Sequence, residues 1–403
     1  MVFDVGKVRS AYPALEDGYA YLDGAAGTQV PAAVLEAIAS AYTSGIGNTG
    51  GEFPASRRSG EIEAECRRAI ADLVGGVAEG VILGPNMTTL TYRLAATLAE
   101  SWGPGDEIVV SRLDHDANFR PWVQAAGRAG ATVKVAEVDP TDGTLPPEQY
   151  DDLLTEATRL VALPAASNLI GTRPDVAAVT ARAHALGALA YVDGVHWTPH
   201  GPVDVAGLGA DFYATSSYKW SGPHLGAVVA DPALLETLHP DKLEPASDEV
   251  PHRFERGTLP FADLAGATAA VDHLASLDDG PAGPRRARVL ASMAAVEAYE
   301  GELFAVLHGG LEKMAHVTTH GGAARRAPTA YFSVAGHEPR AVAAHLARRR
   351  VNVWSGHNYA LELAGALGLS ESGGAVRAGL VHYNDAGDVA RLLEAVAELD
   401  PGS

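Results

Sequence analysis

Between residues 105 and 230 the chain alternates short runs of β-branched and apolar residues with longer, Ala-rich segments of helical spacing. The runs are EIVVSRL (107–113), ATVKVAEV (131–138), RLVALPAA (159–166), ALAYVD (188–193), ADFYATSS (210–217) and GAVVA (226–230). Segments between them, such as PDVAAVTARAHALG (174–187), space their apolar residues for a helix and stop at Gly. Repeated strand–helix units of this size predict an α/β fold, a mainly parallel sheet covered by helices on both faces. GAVVA follows its predecessor too closely for a helical crossover and is expected to run antiparallel.

The rhythm breaks at DDGPAGPRR (278–286), whose Pro, Gly and charges predict a junction. Beyond it, YFSVAG (331–336), VNVW (351–354) and AVRAGLV (375–381) read as strands. PRAVAAHLARRR (339–350) and DVARLLEAVAEL (388–399) read as helices, so a smaller α+β unit is expected. The expected division is a large domain over 20–277 and a small domain built from 1–19 and 278–403. The small domain would carry the segment VNVWSGHNYALEL (351–363).

A chain of 403 residues that is 47% hydrophobic can bury more than one core. No apolar run reaches about 18 residues, and MVFDVGKVRS lacks a charged-then-apolar signal pattern, so a cytoplasmic protein off the membrane is expected. The formal charge of −20 is spread along the chain, which argues against nucleic acid and anionic membranes as partners. The single cysteine excludes an intrachain disulfide and a Cys-based metal cluster, and no metal site is expected. In EIEAECRRAIADLV, Ile62, Cys66, Ala69, Ile70 and Leu73 share one helical face, which predicts a buried thiol acting as a small hydrophobe.

In an open α/β sheet, ligands bind beyond the carboxyl ends of the strands. Here those ends carry His115 and its acidic neighbours, then Ser167 and Asn168, then Asp193 with His196 three residues on, then Ser216, Ser217, Tyr218 and Lys219. An imidazole, an amide, a carboxylate and an amine thus converge on one edge. That set suits an aromatic aldehyde with a ring nitrogen, a phenolic hydroxyl and a phosphate. The carboxylate keeps the ring nitrogen protonated, the amide orients the hydroxyl, the imidazole stacks on the ring and the lysine forms the Schiff base. Pyridoxal phosphate needs all four. Lys219 is one of only five lysines and has no charged neighbour in SSYKWSGPHLG, a setting for an amine of lowered pKa.

At these residues the sequence resembles the fold-type I pyridoxal-phosphate enzymes of aminotransferase class V, in the cysteine desulfurase and selenocysteine lyase branch. The resemblance runs from YLDGAAGTQVP (21–31) through PNMTTLTYRLA (85–95), HDANFRPW (115–122), ASNLIG (166–171), YVDGVH (191–196), SSYKWSGPHLG (216–226) and FERGT (254–258) to VRAGLVHYN (376–384). It implies a seven-stranded, mainly parallel sheet with one antiparallel strand, and a small C-terminal α+β domain. Lys219 would be the Schiff-base lysine that moves the Cα proton, Asp193 the partner of the ring nitrogen and His115 the stacking imidazole. Asn168 would bond the phenolic oxygen, with His196 near it. Thr88, Ser216 and Tyr218 would hold the phosphate. Thr258 would reach the phosphate of a neighbouring subunit, implying a homodimer, and Arg377 would grip the substrate carboxylate.

In the desulfurases of this branch, a late loop carries a cysteine that takes sulfur from the substrate as a persulfide. On the Gly-His pair of SGHNYALEL, Tyr359 stands at the cysteine position and Trp354 at an arginine position. A tyrosine oxygen cannot form a persulfide. The closest resemblance is to the subgroup called cysteine desulfurase-like. The expected reaction is β-elimination of a cysteine-derived or other β-substituted amino acid, which needs no thiol acceptor. His357 would be the acid at the leaving group and Tyr359 an alternative donor, while Trp354 would shape an apolar substrate pocket. The alternatives are transamination and epimerisation at the same carbon, or a cofactor-binding protein without turnover.

Overall fold

The computed structural model describes residues 3–278 and 282–399. Seven strands form the main sheet: β1 (Val81–Gly84), β2 (Glu107–Ser111), β3 (Thr132–Ala136), β4 (Thr158–Pro164), β5 (Leu189–Asp193), β6 (Phe212–Ser216) and β7 (Gly226–Ala230). Their order is β1-β7-β6-β5-β4-β2-β3. β7 pairs antiparallel with both β6 and β1, as its short connection requires, and the other neighbours are parallel. Of the seven, β1 is the strand that the apolar pattern did not announce, because VILG is too short to stand out.

Alternation along each strand explains why both faces are covered. Ile108, Val110, Leu160, Ala162, Tyr191, Phe212 and Val228 pack on one face against Leu90, Leu94, Trp122 and Ala126. These come from helices α2 (Met87–Ala99) and α3 (Arg120–Ala129). Val109, Val161, Leu163, Val192, Tyr213 and Val229 face the other way. They meet α1 (Pro54–Val74), α4 (Val176–Ala185) and α5 (Phe261–Leu274). Cys66 is fully buried in α1 within this second core, as its helical face foretold.

A second sheet, in the order β10-β11-β9-β8, contains β8 (Val317–His320), β9 (Thr329–Val334), β10 (Trp354–Gly356) and β11 (Ala375–Gly379). α6 (Arg285–Glu312), α7 (Pro339–Arg348) and α8 (Ala386–Ala397) bury Leu303, Leu307, Val342, Leu346, Val389 and Leu392 against it. Two expectations need correction. VNVW is not one strand: Val351–Asn352 pairs in parallel with Ala20–Tyr21, and the chain then turns so that Trp354 opens β10. Of the expected junction, residues 279–281 lie outside the described residues, as do 1–2 and 400–403 at the ends. Arg285 and Arg286 are already helical in α6, where Arg285 pairs with Asp272 at 2.8 Å. Among the described residues no helix is long and apolar enough to cross a membrane.

Candidate active site

The carboxyl ends of β2, β4, β5 and β6 open on a narrow pocket of about 60 Å³ that shares walls with a cavity of about 1,100 Å³. The narrow pocket is lined by His115, Asn168, Asp193, His196, Ser216, Tyr218 and Lys219, seven residues expected from the strand ends, and by Thr88, which the resemblance added. Arg377, Trp354, His357 and Tyr359 join from the second sheet and the segment after β10 to line the larger cavity. Thr258 is exposed and is not among the lining residues of either space.

Lys219 ends a short turn, Ser217–Lys219, directly after β6. Ser221 follows in the left-handed region (φ 67°), held by its N–H to Thr28 Oγ1 at 2.7 Å and by its hydroxyl to Tyr12 Oη at 2.8 Å. The Lys219 Nζ donates to the Ala25 carbonyl. Burial, reinforced by the Arg377 charge, brings its pKa down from 10.5 to about 7, against the opposing pull of Asp193 and Asp23. Asp193 accepts the Val195 N–H at 2.9 Å, and burial raises its carboxyl to about 6, while Lys219 pulls it back. An amine and a carboxylate both poised near neutrality are what proton transfer at physiological pH requires.

His115 accepts the Ala117 N–H on Nδ1 at 3.0 Å, so the neutral ring carries its proton on Nε2. Burial, with Lys219 and Arg377 nearby, lowers its pKa to about 3 and keeps it uncharged. His196 is likewise held neutral by burial and His200, and its Nε2 lies 2.9 Å from Thr329 Oγ1. Asn168 spends one amide N–H on the Asn358 carbonyl at 2.8 Å, and its buried Oδ1 has no partner. A buried carbonyl oxygen without a donor and an amide with a second N–H to give mark a place where a polar ligand fits.

The helix α2 begins at this pocket. Asn86 caps it through Oδ1 to the Thr89 N–H at 2.8 Å, and Ser216 Oγ accepts the Met87 N–H at 3.1 Å. The Thr88 N–H between them has neither partner. The close approach depends on Gly226: a Cβ there would lie 2.6 Å from Asn86 Cα and from Met87 N. A helix N-terminus with a free amide, two hydroxyls and little room for side chains is a seat for an anion. Tyr218 stacks on His224 at 4.9 Å and 11°, so an imidazole stands beside the phenol.

Arg377, on β11, is buried and donates Nη1 to the Asn168 carbonyl at 2.9 Å. Burial lowers it to about 10, still charged at neutral pH. The segment after β10 is fixed rather than loose. The Asp116 N–H donates to the Tyr359 carbonyl at 2.7 Å, the Tyr359 ring stacks on His115 at 5.5 Å and 20°, and the Tyr331 hydroxyl donates to the Gly356 carbonyl at 2.9 Å. Asn358 and Tyr359 both take left-handed backbone angles (φ 47° and 59°), a costly pair for residues with a Cβ that these contacts enforce. His357 accepts the Tyr359 N–H on Nδ1 at 3.2 Å, leaving Nε2 toward other partners.

Two residues that support the site from behind its lining went unnoticed in the sequence. Asp23, beside Gly379 in an isolated bridge, has a buried Oδ1 without a partner and a carboxyl raised by burial. Its position after AYL, directly before GAAG, was the one available signal. Tyr331 reaches the site only through the β9–β11 pairing, which no local pattern reveals.

A buried lysine of lowered pKa, a carboxylate across from it, a shielded imidazole and an anion seat on a seven-stranded sheet define a pyridoxal-phosphate enzyme of fold-type I. The model of aminotransferase class V matches residues 20–392, and the chain belongs to that family. Among curated proteins it is 35% identical to an uncharacterized protein of Mycobacterium tuberculosis over 400 residues, covering 99% of this chain and all of that one. It is 34% identical to a probable cysteine desulfurase of Pseudomonas aeruginosa over 406 residues, 96% of each chain. The cysteine desulfurase CsdA (S-sulfonic acid) of Escherichia coli superposes with a TM-score of 0.87 at 28% identity over 99% of both chains. Within the family the chain is cysteine desulfurase-like, and its cofactor is pyridoxal 5′-phosphate. The residues present fit that group: the unpartnered Asn168 oxygen, the free amide at Thr88 and the neutral-poised Lys219 each answer one of its polar atoms.

Proposed function

We propose that the protein catalyses β-elimination from a cysteine-derived or other β-substituted amino acid, without a persulfide cysteine. The observation that carries this reading is a buried lysine of lowered pKa and a buried arginine in one cavity whose lining, among the described residues, holds no thiol. The chain's one cysteine, Cys66, is in the core of α1, and burial pushes its thiol up to about 12.

In this reading Lys219 would hold the cofactor covalently through Nζ, Asp193 would pair with its ring nitrogen and His115 would stack on its ring. Asn168 and His196 attend the phenolic oxygen, and Thr88, Ser216 and Tyr218 the phosphate. When bound, pyridoxal phosphate supplies an electron-accepting ring conjugated to the substrate nitrogen, which makes the Cα proton acidic. Arg377 fixes the substrate carboxylate by paired N–H donors. Once the substrate's amine has displaced it from the cofactor, Lys219 Nζ would be a free amine able to take the Cα proton, and near pH 7 burial keeps much of it uncharged. The bond from Cβ to its substituent then breaks with the electron pair on the leaving atom. His357 Nε2–H, or the Tyr359 hydroxyl, gives that atom its proton. One water completes the balance, so an S-substituted cysteine yields a thiol, pyruvate and ammonium.

The same reading makes the protein a homodimer in which Thr258, exposed and away from its own cavity, serves the phosphate seat of the second copy. It also treats 20–277 as the cofactor domain and 1–19 with 278–403 as the substrate domain. The deciding experiment incubates the holoenzyme with cysteine, cystine and S-substituted cysteines and identifies products by mass spectrometry. Pyruvate with a released thiol is expected. A keto acid retaining its side chain would mean transamination, and solvent deuterium at Cα without breakdown would mean epimerisation. An absorbance spectrum that no amino acid changes would mean a cofactor-binding protein without turnover.

A further inference from the structure

Resting on the elimination reading, we propose that the substituent expelled from Cβ is an uncharged aromatic thiol, so that the substrate is an S-aryl- or S-arylmethyl-cysteine. Five large aromatic side chains stay exposed among the described residues, and three of them, Tyr92, Trp354 and Tyr359, line this one cavity. Trp354 is 52% and Tyr359 71% exposed. The Tyr218–His224 stack forms a further part of the wall. Exposed aromatics gathered in one concavity, rather than scattered over a surface, are the pattern of a ligand site.

Register places the substituent among them. Trp354 is directly opposite Arg377 in the antiparallel β10–β11 pair, and opposed residues project to the same face of a sheet. A substrate whose carboxylate lies on Arg377 therefore has the Trp354 indole beside it. The wall is also set in advance: Tyr359 is held by the Asp116 N–H and the His115 ring, and Glu362, just beyond it, pairs with Arg112 at 2.7 Å and Arg120 at 3.1 Å. Flat aromatic partners fit such rings by offset or edge contact without reordering them.

Charge excludes the other large class of substituent. The ionic side chains lining the cavity are Lys219, Arg377 and Asp116. The first two are committed to cofactor and carboxylate, and Asp116 is paired with Arg120 at 3.0 Å. A charged substituent, such as the second amino-acid half of cystine, would find no uncommitted ionic partner among these lining residues, while the aromatic rings would go unused.

The test compares S-benzyl-L-cysteine, S-methyl-L-cysteine and L-cystine with the holoenzyme, following loss of each amino acid by mass spectrometry so that preference is read whichever product forms. Calorimetric binding of the same compounds to Lys219→Ala gives a readout free of turnover. The benzyl compound is expected to exceed both others at least about tenfold in kcat/KM and in affinity, the span a pocket of this kind gives over a small substituent. Trp354→Ala should shrink that ratio to within about threefold, and Trp354→Phe should restore most of it. Equal or better handling of S-methylcysteine or cystine overturns the proposal while leaving elimination standing if pyruvate is formed. A preference for the benzyl compound with no pyruvate upholds the aromatic pocket and overturns elimination. Failure of all three to bind or react overturns the proposal.

Discussion

The two sides of the cavity are built on opposite physical terms. The floor, at the ends of β4, β5 and β6, is buried: Asp193, Asn168 and Lys219 have little contact with water, and desolvation moves the carboxyl up and the amine down until both sit near neutrality. The roof, running from Trp354 to Tyr359, is exposed on its cavity side and gets its order from backbone anchors and ring stacking. The floor therefore sets the proton chemistry at Cα, and the roof sets which substituent is brought to it and gives that substituent its proton. A family can change its substrate by rewriting a roof of this kind while the floor stays as it is.

Lys219→Ala should separate the two sides most sharply, abolishing covalent attachment of the cofactor and lowering turnover by at least about 10³-fold. Absorbance of the bound cofactor and pyruvate formation measure this, and Tyr359→Phe under the same assay should lose less than about threefold, since the stacking ring is kept. If the Tyr359 variant falls as far as the lysine variant, the Tyr359 hydroxyl is as essential to the chemistry as the lysine and the contrast fails.

Arg377→Ala comes next, raising KM by about a hundredfold with a smaller fall in kcat, as loss of a charge-assisted carboxylate contact predicts. His357→Ala should lower kcat by about tenfold for poor leaving groups and less for good ones, because a proton donor matters only when the leaving atom needs one. A fall independent of the leaving group would remove His357 from that role.

The pH dependence probes the floor alone. Attack on the cofactor aldehyde needs the neutral amine, so with Lys219 near 7 the rate of reattachment to apoprotein should rise about tenfold from pH 6 to pH 8 and then level off. A rate still climbing tenfold per unit above pH 8 would mean an amine of ordinary pKa. Smallest of all, Cys66→Ala should leave kcat and KM within twofold and cost roughly 1 kcal/mol in thermal or denaturant unfolding, the effect of a small void in a packed core.

Much of the floor was legible in the sequence because parallel strands buried on both faces read as apolar runs, and the residue after each run must stand at the sheet's carboxyl edge. Asp193, Lys219, His115 and Asn168 were found that way. β1 escaped because four apolar residues carry too little pattern. The roof was legible as residue types but not as structure: VNVW suggested one strand, whereas the chain divides it between two sheets, and that division puts Trp354 opposite Arg377. Asp23 and Tyr331 stayed hidden because each reaches the site through pairing with residues far away in the chain.

By itself the sequence determined six of the seven strands of the main sheet, the antiparallel one among them, and the set of polar groups at its edge, since these follow from local periodicity and from which residue ends each run. Only the tertiary structure decided how those groups behave. The poise of Lys219 and Asp193 comes from water excluded by elements distant in the chain, and the left-handed turn at Asn358 and Tyr359 from contacts with Asn168, Asp116 and His115. Desolvation and long-range register are properties of the packed chain, and no short window of residues contains them.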